Sequence, residues 1–346
     1  MIARLSNFEL LRIICMLMIV AGHIVLKHET TYSLSDNNEI IRLFSLSMFS
    51  VAVNTFVLIS GYFGIVFKRK RFFKLLLQTL FYSVFLLFVS ILIGWHSFNI
   101  HKDIYVILPI LTKQYWFITC YIILYVISSW LNKLISCLRR SEYFRFLILG
   151  FIIIYVWPTF SYLFKTEQFI NDSGYGIVNF AYLYMLGRYV NLYYDDSHSS
   201  IFYFFGYFCT TFLLFICQCF LSWILGFEFT SWISYNTLFI FVGAICLFMA
   251  FKNLKFESAS VNFWAKPCLA VYLIHMNPYI WGNLCGVIGV SEYRGFKYIL
   301  LIFILPIIIY FVCVTVEIIR TALLEKFEEK IINILGRLTD SLITLQ

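Results

Sequence analysis

Long apolar runs separated by short polar breaks cover most of the chain. Leu75–Gly94 and Ile299–Val316 contain no charged side chain, and each has the roughly 17–25 residues that a helix needs to cross a bilayer. The lengths of the runs predict an all-α integral membrane protein with about ten transmembrane helices. The predicted spans are 8–26, 44–67, 72–94, 114–132, 146–164, 177–194, 201–225, 234–251, 267–286 and 298–318.

The composition agrees with a membrane protein. Hydrophobic residues make up 62% of the chain and charged residues 13%, whereas a soluble domain averages about 45–50% and about 25%. A chain this apolar has too few polar side chains to cover a surface that faces water. A soluble protein is therefore excluded, and membrane lipid is expected around the helices.

The positive charge indicates the orientation. The net charge is +8. Because each span takes the chain to the other side of the membrane, the predicted spans put the basic segments on one side. These segments are Lys68–Arg71, Lys133–Arg145, Lys252–Lys266 and the region after Arg320. Because Lys and Arg collect on the cytoplasmic side of membrane proteins, the N- and C-termini are both predicted to be cytoplasmic.

Two regions follow from the pattern. Residues 1–320 form a predicted multi-span domain, and residues 321–346 form a predicted cytoplasmic amphipathic tail.

Orientation explains the basic excess, so no nucleic-acid partner is expected. The ten cysteines lack the paired spacing of a zinc site, so no metal is expected. The sequence does not indicate an oligomeric state.

The first span carries two residues that are costly in a membrane. Arg12 and His23 are eleven residues apart, which is close to three helical turns, so both side chains project from one face, roughly 16 Å apart along the axis. Glu9 precedes Arg12 by three residues, at pairing distance on a helix. An arginine within a span costs about 2.5–3.5 kcal/mol. This cost favours a functional role over the alternative, in which Arg12 reaches the inner surface and His23 marks the outer helix end.

Five segments in order resemble one known family. In the first span, ten residues separate Arg12 from His23, and the acidic Glu9 precedes the arginine. This arrangement resembles the first-span signature of the acyltransferase family 3 membrane proteins. The later segments that are similar to the family pattern are Val53–Tyr62, Tyr115–Ile118, Tyr184–Arg188 and Val271–His275. Two positions depart from it: Glu9 stands where Asp is commoner, and Asn54-Thr55 stands where many members have Pro or Gly.

The resemblance implies a ten-span membrane-bound O-acyltransferase of surface glycans. Such an enzyme moves an acyl group, usually acetyl from acetyl-CoA, to a hydroxyl of a carbohydrate. The expected donor is therefore acetyl-CoA, and the expected acceptor is a surface carbohydrate or a lipid-linked glycan. The expected location is the plasma membrane of a bacterium.

Side-chain chemistry suggests a role for each candidate. Histidine, with an unperturbed pKa near 6.5, suits proton transfer near neutrality, and the planar fork of arginine binds phosphate well. We predict a catalytic set of Glu9, Arg12 and His23, with His23 as general base or transient acyl carrier. Alternatively, the basic cluster after the second span is only an orientation signal. The predicted CoA-binding residues are Arg12, Lys68, Arg69 and Arg71.

Four further residues are weaker candidates for substrate binding. Tyr115 and Trp116 could stack on a sugar, although anchoring at the membrane interface is the default role of such aromatics. His275 could line the same cavity as His23 or pack with one hydrogen bond. Ser60 invites assignment as a nucleophile, but Ser-Gly in a span more often permits close helix packing.

Three other functions compete with the enzyme. A transporter or flippase of a surface-polysaccharide pathway predicts intramembrane charges on several spans and two repeated halves. A polysaccharide polymerase predicts a large outer loop rich in Arg and His. A structural membrane partner leaves Arg12 and His23 without a purpose. The concentration of central charge in the first span favours the acyltransferase.

Overall fold

The structure is a computed structural model that describes residues 5–28, 33–195 and 198–343, with side chains up to residue 338. It is all-helical, with no β-strand in these ranges. The helices are Ser6–Lys27 (α1), Asn37–Phe49 (α2), Ala52–Phe63 (α3), Arg69–Leu92 (α4), Ile100–Asp103 (α5), Trp116–Cys137 (α6), Arg140–Phe151 (α7), Trp157–Phe164 (α8), Ile177–Tyr193 (α9), Ser200–Leu225 (α10), Leu238–Lys252 (α11), Ala259–Ala265 (α12), Cys268–His275 (α13), Trp281–Ile288 (α14) and Gly295–Ile343 (α15).

Eight helical segments of the described chain are long and apolar enough to cross a membrane, so the predicted count of about ten is not confirmed. Two of the eight combine consecutive helices, α2 with α3 and α7 with α8. A π-helical turn, Ile152–Val156, joins α7 to α8. Pro158, which follows it, cannot donate the next helical hydrogen bond, and a widened turn accommodates this loss.

The two missing spans have different causes. Helix α9 has 17 residues, about 26 Å at 1.5 Å per residue, which is the lower limit of the length that a span needs. The predicted span 267–286 is instead two helices of eight residues, α13 and α14, separated by a break at Asn277 and Pro278. Non-helical backbone at membrane depth is tolerated where protein surrounds it, and Asn277 is fully buried.

The side chain of Asn277 stabilises this break. Its amide donates to the Tyr115 hydroxyl at 2.9 Å, and its Oδ1 accepts from the backbone N–H of Tyr279 at 3.0 Å. The asparagine therefore supplies partners where the helix ends, and it fixes the end of α13 against the start of α6.

Helices α3 and α9 are in backbone contact. A Cβ added at Gly61 would lie 2.2 Å from the carbonyl oxygen of Tyr184, and one added at Gly187 would lie 2.4 Å from that of Leu58. Only glycine permits this approach, which is a common way for membrane helices to gain packing energy. The predicted alternative for Ser60-Gly61, close helix packing, therefore holds for Gly61.

A buried polar network joins α4 to α15. Glu317 accepts hydrogen bonds from Gln78 at 3.0 Å and from the Tyr82 hydroxyl at 2.6 Å. Arg320 donates to both of its carboxylate oxygens, at 2.7 and 2.8 Å, and to Glu328. Arg320, the last residue of the predicted multi-span region, is thus a buried member of the bundle.

The predicted tail continues the last span without interruption. Helix α15 has 49 residues, about 74 Å at 1.5 Å per residue, against a hydrocarbon core of about 30 Å. The predicted region boundary at 320 falls inside this helix. The ends of the two predicted regions, 1–4 and 344–346, lie outside the described residues.

Candidate active site

Helix α1 carries Glu9, Arg12 and His23 on one unbroken helix, as predicted. Arg12 donates to the Glu9 carboxylate at 2.6 Å, and the Glu9 side chain is almost fully buried. The Arg12 guanidinium also lies 5.8 Å from the ring centroid of Phe63, at the end of α3. Glu9 therefore holds the arginine in a fixed direction, and the aromatic ring covers one face of the guanidinium.

The basic cluster lies at the same end of the bundle as Arg12. Gly64, with a φ of +71°, turns the chain after Phe63 toward α4, which begins at Arg69. Lys68, Arg69 and Arg71 are exposed. The four predicted CoA-binding residues are thus at one end of the bundle, and their role in binding CoA stays a prediction.

An acidic stretch of α15 faces part of this cluster. A cavity of about 700 Å³ lies between Lys70, Arg71 and Lys74 on one side and acidic residues of α15 on the other. The acidic residues that line it are Glu325, Glu328 and Glu329. The positive field of the cluster is therefore partly compensated on the side of α15.

His23 forms a hydrogen-bonded pair with His275, at the end of α13. His23 Nδ1 lies 3.0 Å from His275 Nε2, and His275 Nδ1 lies 2.6 Å from the carbonyl oxygen of Val271. His275 is fully buried, while His23 is half-buried. Trp281 packs edge-on against both imidazoles, with ring centroids 6.4 and 5.6 Å away.

These contacts determine the tautomers of a neutral pair. The Val271 carbonyl can only accept, so the proton of His275 is on Nδ1, and its Nε2 is an acceptor. His23 must then donate from Nδ1, which leaves the lone pair of His23 Nε2 without a partner in the pair. A histidine oriented through one nitrogen presents the other as a base.

A cavity, here called the chamber, opens beside His23. Its wall combines apolar residues of α1, α2 and α3 with the start of α6 and one residue of α13. The polar and aromatic residues that line it include His23, Trp116, Phe117, Tyr175, Tyr235 and Tyr272. Mixed aromatic and polar lining is typical of small-molecule sites.

Trp116 lies in the interior of the protein, in a cluster of three aromatic rings. Its centroid is 4.6 Å from that of Tyr175 and 5.8 Å from that of Tyr235. Trp116 is therefore a wall of the chamber, whereas anchoring at a membrane interface was the default interpretation of its sequence position.

A buried network holds the loops that carry the two tyrosines. Asn54 donates to the Tyr235 carbonyl at 2.8 Å, and Asn179 donates to the Gly174 carbonyl at 2.9 Å and to Asn54 at 3.3 Å. Gly174 has a φ of +79°, and a Cβ there would lie 2.6 Å from the backbone of Asn236. The network thereby positions the aromatic cluster.

The other predicted substrate-binding residues lie outside the chamber wall. The Tyr115 side chain is buried, and its hydroxyl accepts from Asn277. Ser60 donates to the carbonyl of Phe56 in its own helix at 3.2 Å. His275 contacts His23 through a hydrogen bond and is not among the residues that line the chamber. Their predicted roles in binding stay predictions.

Sequence reasoning missed several residues of the site. Tyr175 and Tyr235 lie in loops between helices, where no periodic signal marks them. Trp281 and Tyr272 are aromatic residues in a strongly aromatic chain. The one usable signal was Asn277-Pro278, which marks a helix break beside His275.

A second polar cluster lies outside the chamber, near α5. His96 Nε2 contacts both carboxylate oxygens of Asp103 at 3.0 Å, and the Tyr279 hydroxyl donates to the same carboxylate at 3.1 Å. Burial raises the pKa of Asp103, but hydrogen bonds from the Asn99 amide, His96 and Tyr279 outweigh burial, so the pKa lies below its ordinary value.

One known family matches this chain. A family described as an acyltransferase domain, acyltransferase 3, matches residues 5–320. The chain belongs to acyltransferase family 3. The match covers nearly the whole chain, so the predicted resemblance is confirmed. Together with the membrane-crossing helices, it identifies a multi-pass membrane acyltransferase. No curated protein and no solved structure matches this acyltransferase.

Proposed function

We propose that this acyltransferase transfers an acyl group, with acetyl as the expected group, from acyl-CoA to a hydroxyl of a surface carbohydrate or lipid-linked glycan. The observation that carries the proposal is the pair of His23 and His275 at the chamber wall. The pair leaves the basic nitrogen Nε2 of His23 without a partner in the pair. Acyl transfer to a hydroxyl requires such a base to take the hydroxyl proton.

His23 acts as the general base in this proposal. Its Nε2 takes the proton of the acceptor hydroxyl while the hydroxyl oxygen attacks the thioester carbonyl carbon. The carbon–sulfur bond then breaks, and His23 returns the proton to the departing thiolate. Throughout the step His23 Nδ1–H donates to His275. His275 is a positioning residue, because it orients the base as the third member of a catalytic triad does.

Arg12, with Lys68, Arg69 and Arg71, binds the phosphates of the donor. This assignment is supported by their common location at one end of the bundle and by the fixed direction that Glu9 gives to Arg12. Because acyl-CoA is cytoplasmic, this end and both termini face the cytoplasm of a bacterial plasma membrane. His23 then lies toward the outer side, where surface glycans are assembled.

The aromatic cluster binds the acceptor. Flat aromatic rings offer an apolar face to the CH groups of a sugar, while their polar edges and neighbouring hydroxyls remain available for hydrogen bonds. Trp116, Tyr175 and Tyr235 line the chamber beside His23. This arrangement supports a carbohydrate hydroxyl as the nucleophile.

Purified protein in proteoliposomes tests the proposal. With labelled acetyl-CoA and membranes as the source of acceptor, the His23→Gln variant is expected to lose transfer. The Arg12→Gln variant is expected to raise the KM for acetyl-CoA. His101→Gln, at an exposed position of α5, is the matched control and is expected to keep the wild-type rate.

Normal transfer by His23→Gln would reject His23 as the base. Absence of any acyl-CoA turnover by the wild-type protein would favour a flippase or a polymerase instead. Mass spectrometry of surface glycans from cells with and without the gene identifies the acceptor, because each transferred acetyl group adds its own mass to one sugar.

A further inference from the structure

The hydroxyl of Tyr272 is a buried polar group with no acceptor. Tyr272 is only 4% exposed and lines the chamber together with His23. Within the described part of the chain, its oxygen has no hydrogen-bond partner that meets normal geometry. The Phe117 amide interacts with the same oxygen, but as a donor it leaves the hydroxyl hydrogen free.

A buried hydroxyl without a partner is costly, so its presence needs a physical reason. Most buried polar groups in native proteins are hydrogen-bonded, and the exceptions are often found at catalytic sites or hold a small polar ligand. Tyr272 lines the chamber, which also holds the proposed base. A ligand oxygen that reaches the hydroxyl from the chamber would complete its hydrogen bonding.

The start of α6 offers donors in the same region. Trp116 and Phe117 are the first two residues of this 22-residue helix, and both line the chamber. The first-turn amides of a helix have no partner inside it, and the side chain of the N-cap residue of α6, Tyr115, makes no capping hydrogen bond. The aligned peptide dipoles also favour negative charge at this position.

The two kinds of donor lie next to each other. The ring centroids of Phe117 and Tyr272 are 5.5 Å apart, and that of Tyr272 is 6.0 Å from that of His275. Acyl transfer converts the thioester carbonyl to a tetrahedral oxyanion, and donors arranged in advance around that oxygen are the usual means of stabilising it. Neither the base nor the phosphate-binding residues supply such donors.

We propose that the Tyr272 hydroxyl and the first-turn amides of α6 form an oxyanion hole that binds the carbonyl oxygen of the acyl group. The inference rests on the proposed function and adds a catalytic residue to it. As the acceptor oxygen bonds to the carbonyl carbon, the carbonyl π electrons move to the oxygen, which these donors stabilise. When the carbonyl re-forms, the carbon–sulfur bond breaks and the thiolate takes the proton held by His23.

The Tyr272→Phe variant separates this role from a structural one. The variant removes only the hydroxyl. Loss of one oxyanion donor is expected to lower kcat by about 10²–10³-fold, with little change in KM because the ground state gains less from the donor than the transition state does. The melting temperature is expected to change little, because the hydroxyl hydrogen has no acceptor among the described residues. The desolvation cost that is removed offsets the lost contact with the Phe117 amide.

Tyr298→Phe is the matched control. The Tyr298 hydroxyl is also buried and without a partner among the described residues, but its ring stacks on His28, with centroids 4.0 Å apart, and it does not line the chamber. This variant is expected to show the same change in melting temperature with the wild-type kcat.

Two results would overturn the inference. One is a wild-type kcat for Tyr272→Phe, and the other is a melting temperature that falls together with kcat, which would indicate a structural hydroxyl. Failure of the proposed function is distinguishable, because in that case the wild-type protein itself would not transfer an acyl group.

Discussion

Substitution of Gly61 by alanine tests the backbone contact between α3 and α9. The added Cβ would lie 2.2 Å from the Tyr184 carbonyl oxygen, whereas ordinary contact begins at 3.4 Å, so the helices must move apart by the difference, 1.2 Å. Overpacking costs about 1–3 kcal/mol, and the obstacle here is backbone, which cannot rotate away. Alanine regains up to about 1 kcal/mol of helix propensity. We expect a net loss of about 2 kcal/mol in the free energy of unfolding.

Gly286→Ala provides the comparison. Gly286 lies in α14 with no heavy atom within 4 Å of an added Cβ, so this variant is expected to gain up to about 1 kcal/mol. Both free energies of unfolding can be measured by reversible denaturation in mixed micelles. A Gly61→Ala variant as stable as Gly286→Ala would refute the reasoning, because the two differ only in what the new methyl group meets.

Two further predictions concern charged groups. Glu317→Gln removes one of the two carboxylates that pair with the buried Arg320 and leaves only Glu328. It is expected to cost about 3 kcal/mol of unfolding free energy in the same assay, the low end of the range for a broken buried pair. Glu142→Gln, in an exposed pair, is expected to change nothing measurable, and equal effects would contradict the assignment. Because the pKa of Asp103 lies below its ordinary value of 3.8, its ionised form stabilises the protein fully above about pH 3.8 and loses that contribution as the pH falls through the lower, folded-state value. Asp103→Asn is expected to flatten this acid dependence, and an unchanged pH profile of unfolding would argue against it.

The local geometry of the first helix could be predicted from the sequence. Helical periodicity alone places Arg12 and His23 on one face and puts Glu9 within reach of Arg12, and the ion pair at 2.6 Å confirms that reach. The overall class could also be predicted, because no soluble fold tolerates such long uncharged runs.

The partner of His23 could not be predicted in the same way. His23 and His275 are 252 residues apart, and a helical period says which residues share a face but not which two faces meet. The aromatic loops present the same problem. Tyr175 and Tyr235 depend on Asn54 and Asn179, whose hydrogen bonds join distant segments.

Asn54 also explains one departure from the family pattern. Where many members have Pro or Gly, this chain has a buried asparagine that donates to the backbone of Tyr235. The sequence shows this residue only as a departure from the pattern, whereas in the fold it orients one wall of the chamber. Its side chain has a structural partner that only the fold reveals.

The short length of α13 has a consequence for how the site responds to its surroundings. Six of its eight residues are buried, so its neighbours are protein side chains, whereas long helices such as α10 expose many large apolar residues. Full spans tilt or adjust when the hydrocarbon thickness changes. A segment of about 12 Å that is mostly enclosed by protein has no such length to match. We therefore expect His275 and Tyr272 to be insulated from lipid composition, so that the candidate site keeps one geometry in bilayers of different thickness.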